Sequence, residues 1–490
     1  MPPRPVPWPP WALRAARRPP AAEGGTKTAD TGAAAATSWR DKPEMPTEFV
    51  ETVDADIVVV GAGNGGLVAA TTAAQNGAKV VVLEKAGAIA AAREAIGALN
   101  SKLAPDHQED VPTLLNHANQ TQAGDANMLM YKTWAEKSGE MIEWMADTLG
   151  PKGMLFPFEW HCPDDPHAYY PAMCYNPCLD EYNPDGPNYT SYTHLEVMAD
   201  VFTTDLGGEI RFETPAQQLL IDEAGRVTGV VCEEDGKNVL FNASKGVILA
   251  TGDYQCDLEM VAYYCPDIKE FPPCQMNRTG DGHKMGVWAG GEIEPTTHTK
   301  MIHDARVGRV DTPHLLVNAK GERFMCEGPM QGYLNNYVRE YIHEAGGDAK
   351  AGNLYTIVDA KWQDQIAEWK AIDPEIDASN CKWFYEGNTI EEACAAMAAD
   401  TESGAYELDA AAVQKTVDRY NELCAKGSDD DFGKNSTFMR AIDTPPFIVV
   451  PHEFGMGLSA IIGGLLINAD NQVLKADEHT PIDGLFAVGN

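Results

Sequence analysis

The stretch Ala55–Lys85, ADIVVVGAGNGGLVAATTAAQNGAKVVVLEK, contains every part of a dinucleotide-binding βαβ start in the required order. Ile57–Val60 is a short β-branched run of the kind that forms a buried parallel strand. It leads directly into Gly61-Ala62-Gly63-Asn64-Gly65-Gly66, a GxGxxG turn. Gly61 permits the tight turn, Gly63 removes a Cβ that would hold a pyrophosphate off the backbone, and Gly66 lets the next helix lie close on the strand. The Ala-rich segment Leu67–Asn76 is predicted to be that helix, ended by Gly77, with its N-terminal amides and positive dipole end facing the phosphates. Lys79–Leu83 is the second strand. Glu84 stands at its tip, 23 residues after Gly61, placed to accept from an adenosine ribose diol, and an acid there argues against a 2′-phosphate.

A chain of 490 residues exceeds one small core, which makes two interleaved domains the natural expectation. Its 37 basic and 73 acidic residues give a formal net charge of −36, which argues against nucleic acid and anionic membrane surfaces as partners. The same charge suits a basic redox partner, or simply a solvated acidic surface. No run of 18 apolar residues occurs, so no membrane span is expected. Residues 1–50 are rich in proline and alanine and are expected to be disordered. Arg17-Arg18 resembles a twin-arginine export signal, but PPAAEGG follows where an apolar region belongs, leaving both export and a cytoplasmic location open. Eleven cysteines, with Cys174-Tyr-Asn-Pro-Cys178 as the nearest pair, give neither a disulfide framework nor a metal-binding spacing, and no metal site is expected.

Beyond Lys85, a linker that becomes a helix carries Arg93 and Asn100, the polar residues able to reach a cofactor lying along it. Asn127–Leu149 has helical spacing of Met130, Trp134, Met141, Trp144, Met145 and Leu149, which reads as core. Residues 150–192 lose all periodicity and are rich in proline and tyrosine, suggesting a lid or substrate-facing insertion. A helix is expected over His194–Leu206. Residues 209–243 then alternate as a β-meander with glycine in the turns, and Gly246–Ala250 reads as a separate return strand closing on Ala250-Thr251-Gly252. Asp281, in Thr279-Gly-Asp-Gly282, is expected to sit at a helix N-terminus as a cap. Residues 295–444 form a second unit inserted in the first. Strand 448–451 and the segments EFGMGLSAIIGGLLIN and GLFAVGN return to the first unit.

As a set and in this order, VVVGAGNGGLVAA with LEK, GVILATGD, NRTGDGHKMG, VNAKGERFM and IIGGLLIN with VLKADEHTPIDGLFAVGN resemble the FAD-dependent oxidoreductase superfamily of fumarate reductase and succinate dehydrogenase flavoproteins, urocanate reductases and 3-ketosteroid dehydrogenases. The resemblance implies an α/β fold: a Rossmann-like FAD-binding domain of the two-dinucleotide-binding type with a β-meander, made of residues 51–294 and 445–490, and an inserted α+β capping domain, 295–444. It implies FAD held by Gly61, Ala62, Gly63, Asn64, Gly65, Gly66, Glu84, Lys85, Ala91, Arg93, Asn100, Ala216, Ala250, Thr251, Gly252, Asp281, Gly489 and Asn490. A small unsaturated substrate would lie between cap and flavin, where hydride passes between flavin N5 and one carbon of an activated C=C and a side chain delivers a proton to the other. No attached haem motif is present, so a separate electron donor is implied, a cytochrome among the candidates.

The departures from the pattern bear on the substrate. Gln331, in Glu327-Gly-Pro-Met-Gln331, stands where fumarate reductases carry their proton-donating Arg, and Ala460-Ile-Ile-Gly463-Gly464 replaces the His-Thr-Met-Gly-Gly segment with its substrate-binding His. A carboxamide is neither an acid nor a cationic clamp, so fumarate itself is not expected to be the substrate. The remaining catalytic candidates are His303, Arg306 and Tyr333, with Arg309, Tyr337 and His452 behind them. A ketosteroid-type dehydrogenase and a flavin-binding protein without turnover are the competing readings. In the family a final helix follows the turn at which Asn490 stands, so the resemblance also implies a C-terminally truncated site that holds the adenosine half of FAD and binds the ring loosely.

Overall fold

The computed structural model describes residues 38–89, 96–121, 127–161, 172–179, 194–268, 273, 275–303, 312–328, 354–372, 376, 381, 383–400, 408–452, 457–477 and 479–490. Residues 39–490 form one compact unit. Its central strand, β1 (Glu51–Val60), is followed by α1 (Asn64–Gln75) and β2 (Val80–Leu83). β1 and β2 run parallel, with Ile57 opposite Val80 and Val60 opposite Leu83. All four residues of β2 are buried, which explains its unbroken valine-leucine run: both faces of a parallel sheet are covered, so no polar alternation is needed. α1 buries Gly66, Leu67, Ala70 and Thr71, a stripe of mostly small side chains that keeps the helix close to the sheet.

After β3 (Ile96–Gly97) come α2 (Val111–Thr121) and α3 (Met128–Leu149). Asn127 caps α3 by accepting from the Met130 amide. The buried face of α3 is Ala135, Ser138, Gly139, Ile142, Met145 and Leu149, smaller than the Met and Trp stripe expected. The cause is a close approach: a Cβ on Gly139 would lie 2.3 Å from the Leu99 carbonyl oxygen. β4 (Phe158–His161) and β5 (Ala172–Tyr175) join β3 in an antiparallel sheet of order β3-β5-β4. Part of the aperiodic stretch 150–192 is therefore regular structure; residues 162–171 and 180–192 of that expected lid lie outside the described residues.

α4 (His194–Asp200) continues as a π-helical turn over Val201–Asp205. β6 (Glu209–Arg211), β7 (Ala216–Ile221), β8 (Val227–Glu234) and β9 (Lys237–Leu249) follow. The expected separate return strand does not exist: β9 runs unbroken for 13 residues. It pairs antiparallel with β8 and parallel with β1, including Val58 opposite Val247. At Ser244-Lys245-Gly246 the pairing with β1 shifts register between Ala55 and Ile57, a bulge that carries the strand through.

After α5 (Leu258–Tyr264), α6 (Asp281–Trp288) and β10 (Thr299–His303), a second sheet is built from β11 (Leu315–Asn318), β12 (Leu354–Asp359), β13 (Tyr385–Gly387) and β14 (Phe447–Pro451), in the order β11-β12-β14-β13. Helices Ile390–Ala399 and Ala410–Lys426 cover it through Ala393, Met397, Val413, Val417 and Tyr420. By hydrogen bonding β14 belongs to this sheet, with Ile357 opposite Val449, and not to the first sheet as the sequence boundary at 444 implied. Its apolar run FIVVP fits either sheet, and only the pairing partner distinguishes them. A buried ionic cluster lies beneath: Arg323 Nη2 is 2.7 Å from Glu327 Oε2 and 2.7 Å from Asp429 Oδ2, and Lys434 Nζ donates to the Tyr420 hydroxyl at 2.8 Å.

β15 (Gly457–Ile462) pairs antiparallel with β10, and β16 (Gln472–Leu474) and β17 (Pro481–Ala487) return to the main sheet, whose order becomes β16-β17-β9-β1-β2-β6. β17 is parallel to β9. Among the described residues, no helix is long and apolar enough to cross a membrane.

Candidate functional site

The glycines of the first turn divide into two kinds. A Cβ on Gly61, whose φ is +108°, would lie 2.2 Å from the Ala250 carbonyl oxygen, and one on Gly66 would lie 1.9 Å from the Gly61 carbonyl oxygen. These two are required by packing of the protein on itself. Gly63 is different: it is the N-cap of α1 with φ −82° and ψ −170°, a backbone any residue can adopt, and its Cβ position meets nothing within 4 Å. The protein keeps this approach to the helix N-terminus open, where amides and helix dipole receive an anion.

Every wall of this cradle comes from a different part of the chain. Glu84 accepts from the Ala62 amide through Oε2 and from the Ala86 amide through Oε1, each at 2.9 Å, so its carboxylate is fixed at the tip of β2 beside the turn. The Thr214 amide donates to the Glu84 carbonyl at 3.0 Å, tying in the loop that opens β7 at Ala216. Ala250 seats Gly61, and Thr251 Oγ1 accepts from the Gly282 amide at 3.1 Å, joining the end of β9 to the start of α6. From the far end of β17, Val488 and Gly489 reach Gly65, whose Cβ position is 3.1 Å from Val488 Cγ2 and 3.4 Å from the Gly489 nitrogen. Asn490 is the next residue.

One expected role changes. Asp281 makes no side-chain cap on α6, whose N-cap is Gly280. Instead it accepts from Lys85 Nζ at 2.8 Å and from Thr279 Oγ1 at 2.8 Å, because the lysine that follows Glu84 reaches it first. Asn100 has a local partner: its amide exchanges hydrogen bonds with the Glu109 backbone, at 2.7 Å to the nitrogen and 3.0 Å to the oxygen. Such a pairing in a loop satisfies the side chain locally. Ala91 and Arg93 lie outside the described residues, as do Arg306, Arg309, Gln331, Tyr333 and Tyr337. His303 is the last residue of β10, opposite Gly457. His452 is buried, with Nε2 2.7 Å from Thr356 Oγ1, which removes it from any open site.

Three histidines that spacing alone did not single out lie around this region. His194, at the start of α4, is buried, with Nε2 2.7 Å from Asn64 Oδ1. Burial lowers its pKa to about 4. His283 of α6 and His298 flank the Gly463-Gly464 turn: a Cβ on Gly463 would lie 2.3 Å from His298 Cγ, and His283 Nε2 is 3.4 Å from the Gly463 oxygen. His298 is bonded on both nitrogens, by the Tyr254 hydroxyl at 2.6 Å and by the Glu294 carbonyl at 2.8 Å. The carbonyl can only accept, so Nε2 carries the proton and Nδ1 accepts from the phenol. Burial lowers the His298 pKa and pushes the Tyr254 phenol up, making this pair a neutral support and not an acid-base couple at neutral pH. The glycine pair was visible in sequence, but no sequence signal located its histidine seat.

The open cradle, the helix N-terminus and the fixed acid at the β2 tip together suit the pyrophosphate and adenosine ribose of a dinucleotide, and Lys85–Asp281 with Thr251–Gly282 tie the ends of β2 and β9 to the start of α6. Residues 56–490 match the FAD binding domain family, and the chain belongs to that family. It is an FAD-dependent oxidoreductase with the fumarate reductase-like fold. It is 26% identical over 488 residues to a urocanate reductase of Eggerthella lenta, covering 94% of this chain and 74% of that protein. It is also 26% identical over 480 residues to a vinyl phenol reductase of Lactiplantibacillus plantarum, covering 89% of each. Among solved structures, a 3-ketosteroid-Δ4-(5α)-dehydrogenase of Rhodococcus jostii aligns with a TM-score of 0.69 at 23% identity, over 90% of this chain and 91% of that one, which establishes a shared fold.

Proposed function

We infer that this protein reduces a C=C bond conjugated to a carbonyl group in a small organic molecule, or forms that bond in the reverse direction, with electrons from a separate donor such as a cytochrome. The observation that carries the reading is the complete dinucleotide cradle within a family match spanning residues 56–490, with reductases of urocanate and of vinyl phenols among the relatives. Bound FAD supplies the two-electron chemistry at the alkene. The chain's own part is to hold the pyrophosphate on the amides after Gly63, fix the ribose through Glu84, and deliver a proton to the second alkene carbon.

His303, Arg306 and Tyr333 are the proposed proton-delivering and substrate-orienting groups. The unit that carries them is proposed as a cap over the FAD-binding domain, and the pairing of β14 favours ending that cap near residue 452. A dicarboxylate needs two cationic clamps, and Gln331 supplies none, so the substrate is proposed to be something other than fumarate. The Arg17-Arg18 pair leaves a twin-arginine-like export route as the finer proposal for location.

The test is reoxidation of viologen-reduced, FAD-loaded protein by a panel of enoates, aryl alkenes, 3-ketosteroids and fumarate. One conjugated class should turn over, while fumarate and NADH alone should not support activity. Efficient NADH turnover would remove the separate donor, rapid fumarate turnover would overturn the reading of Gln331, and inertness to the whole panel would leave a flavin-binding protein without turnover.

A further inference from the structure

Within the GxGxxG turn, Gly61, Gly63, Gly65 and Gly66 have no side chain to offer, and Ala62 is buried. Asn64 is the one residue of the six with a polar side chain, and it is the exposed first residue of α1, immediately after the open Gly63 position. Its Oδ1 lies 2.7 Å from Nε2 of His194. His194 is 1% exposed and arrives from α4, outside the motif. An amide oxygen only accepts, so the imidazole donates from Nε2, and the planar carboxamide must turn its Nδ2 arm away from the histidine. Among the described residues, that NH2 group has no protein partner. The opposite orientation would turn the oxygen lone pairs toward the anion that the helix N-terminus receives, a repulsive arrangement. Binding of a pyrophosphate and the hydrogen bond from His194 therefore favour the same amide orientation.

We propose that Asn64 Nδ2 donates to the pyrophosphate of the cofactor, and that His194 is a positioning residue holding the carboxamide in the donating orientation. This rests on the FAD reading of the turn and adds to its backbone amides one side-chain contact whose geometry is set from outside the motif. Burial keeps the His194 ring neutral near neutral pH, so it supplies a hydrogen bond without a charge.

The experiment is titration of the full-length apoprotein with FAD, with ADP and with adenosine. ADP carries the diphosphate and adenosine does not, which separates a phosphate contact from damage to the fold. Asn64→Ala is expected to weaken ADP and FAD about tenfold or more, the scale of one charge-assisted hydrogen bond. Asn64→Asp is expected to weaken them further by repulsion, and adenosine should bind both variants within about twofold of wild type. His194→Phe removes the donor and should reproduce a weaker, selective loss for ADP. His194→Gln, which keeps an N–H donor, should recover part of it, a pattern that a purely packing role for the ring would not give. Wild-type ADP affinity in Asn64→Ala would overturn the proposal, as would equal losses for ADP and adenosine. A wild-type apoprotein that binds neither FAD nor ADP would overturn the cofactor reading itself.

Discussion

The two kinds of glycine in the first turn predict opposite phenotypes for the same substitution. In Gly66→Ala the new Cβ would stand 1.9 Å from the Gly61 carbonyl oxygen and 3.2 Å from the Ala250 Cβ. Ordinary carbon-oxygen contact is more than an ångström longer, and the obstacle is backbone, so α1 must lift off the sheet. Overpacking of this kind costs about 3 kcal/mol, a fall of several degrees in melting temperature. In Gly63→Ala the new Cβ meets nothing within 4 Å and the backbone is already in a common conformation. The protein should melt as the wild type does, but the methyl group occupies the approach of the pyrophosphate. Loss of one charge-assisted contact of about 1.5–3 kcal/mol weakens FAD roughly tenfold to a hundredfold. Differential scanning fluorimetry of the apoproteins and FAD titration by flavin fluorescence read the two effects separately. Gly63→Ala with wild-type FAD affinity, or Gly66→Ala with wild-type melting, would refute the division of roles.

Glu84→Gln should weaken both adenosine and FAD, because the carboxylate that receives the Ala62 amide is also the proposed ribose acceptor; an effect on FAD alone, measured in the same titrations, would contradict this. Asp429→Leu leaves Arg323 and Lys434 facing Glu327 alone and should cost about 3–5 kcal/mol in urea denaturation, since it removes one partner from a buried ionic cluster; a loss under about 1 kcal/mol would be inconsistent with that burial. Burial works against the Asp429 charge, yet Arg323 and the Lys434 amide outweigh it and hold the carboxyl well below its usual range, so its stabilisation is complete above about pH 4 and is lost as the pH falls further. Burial lowers His194 and His283 to about 4 and His314 to about 3, from the ordinary 6.5, so the unfolded chain takes up protons that the folded chain refuses. Stability should therefore decline as the pH falls below about 6.5, each ring costing about 1.4 kcal/mol by pH 5.5, and a melting temperature flat from pH 7 to 5 would exclude it.

What the sequence conveyed well was local. The turn, the acid at the β2 tip and the Asn127–Leu149 helix are each defined by residues near one another in the chain, and period, glycine placement and strand composition suffice for them. What it concealed depends on partners distant in sequence. Asp281 looked like a cap because Thr-Gly-Asp-Gly has the composition of one, and nothing nearby indicates that Lys85 claims its carboxylate. β9 looked like two strands because the apolar run from Gly246 reads as a strand of its own, and nothing nearby shows that β1 pairs on both sides of a bulge there. β14 carries the same apolar signature whichever sheet it joins, and His194, a lone histidine at a helix start, gives no sign that Asn64 waits for it.

The contact of Gly65 with Val488 and Gly489 makes the cofactor cradle a late product of chain synthesis. β1, α1 and β2 can associate soon after they emerge, but the C-terminal stretch of β9, Val247–Leu249, beyond its pairing with β8, has an open edge until β17 docks beside it with Leu485 opposite Val247. Contacts so distant in sequence form slowly, and an open parallel edge is exposed to misassociation in the meantime. FAD binding favours chains in which the first turn and the last strand have met, so supplying riboflavin during expression should raise the soluble yield of this protein more than adding FAD to a finished lysate.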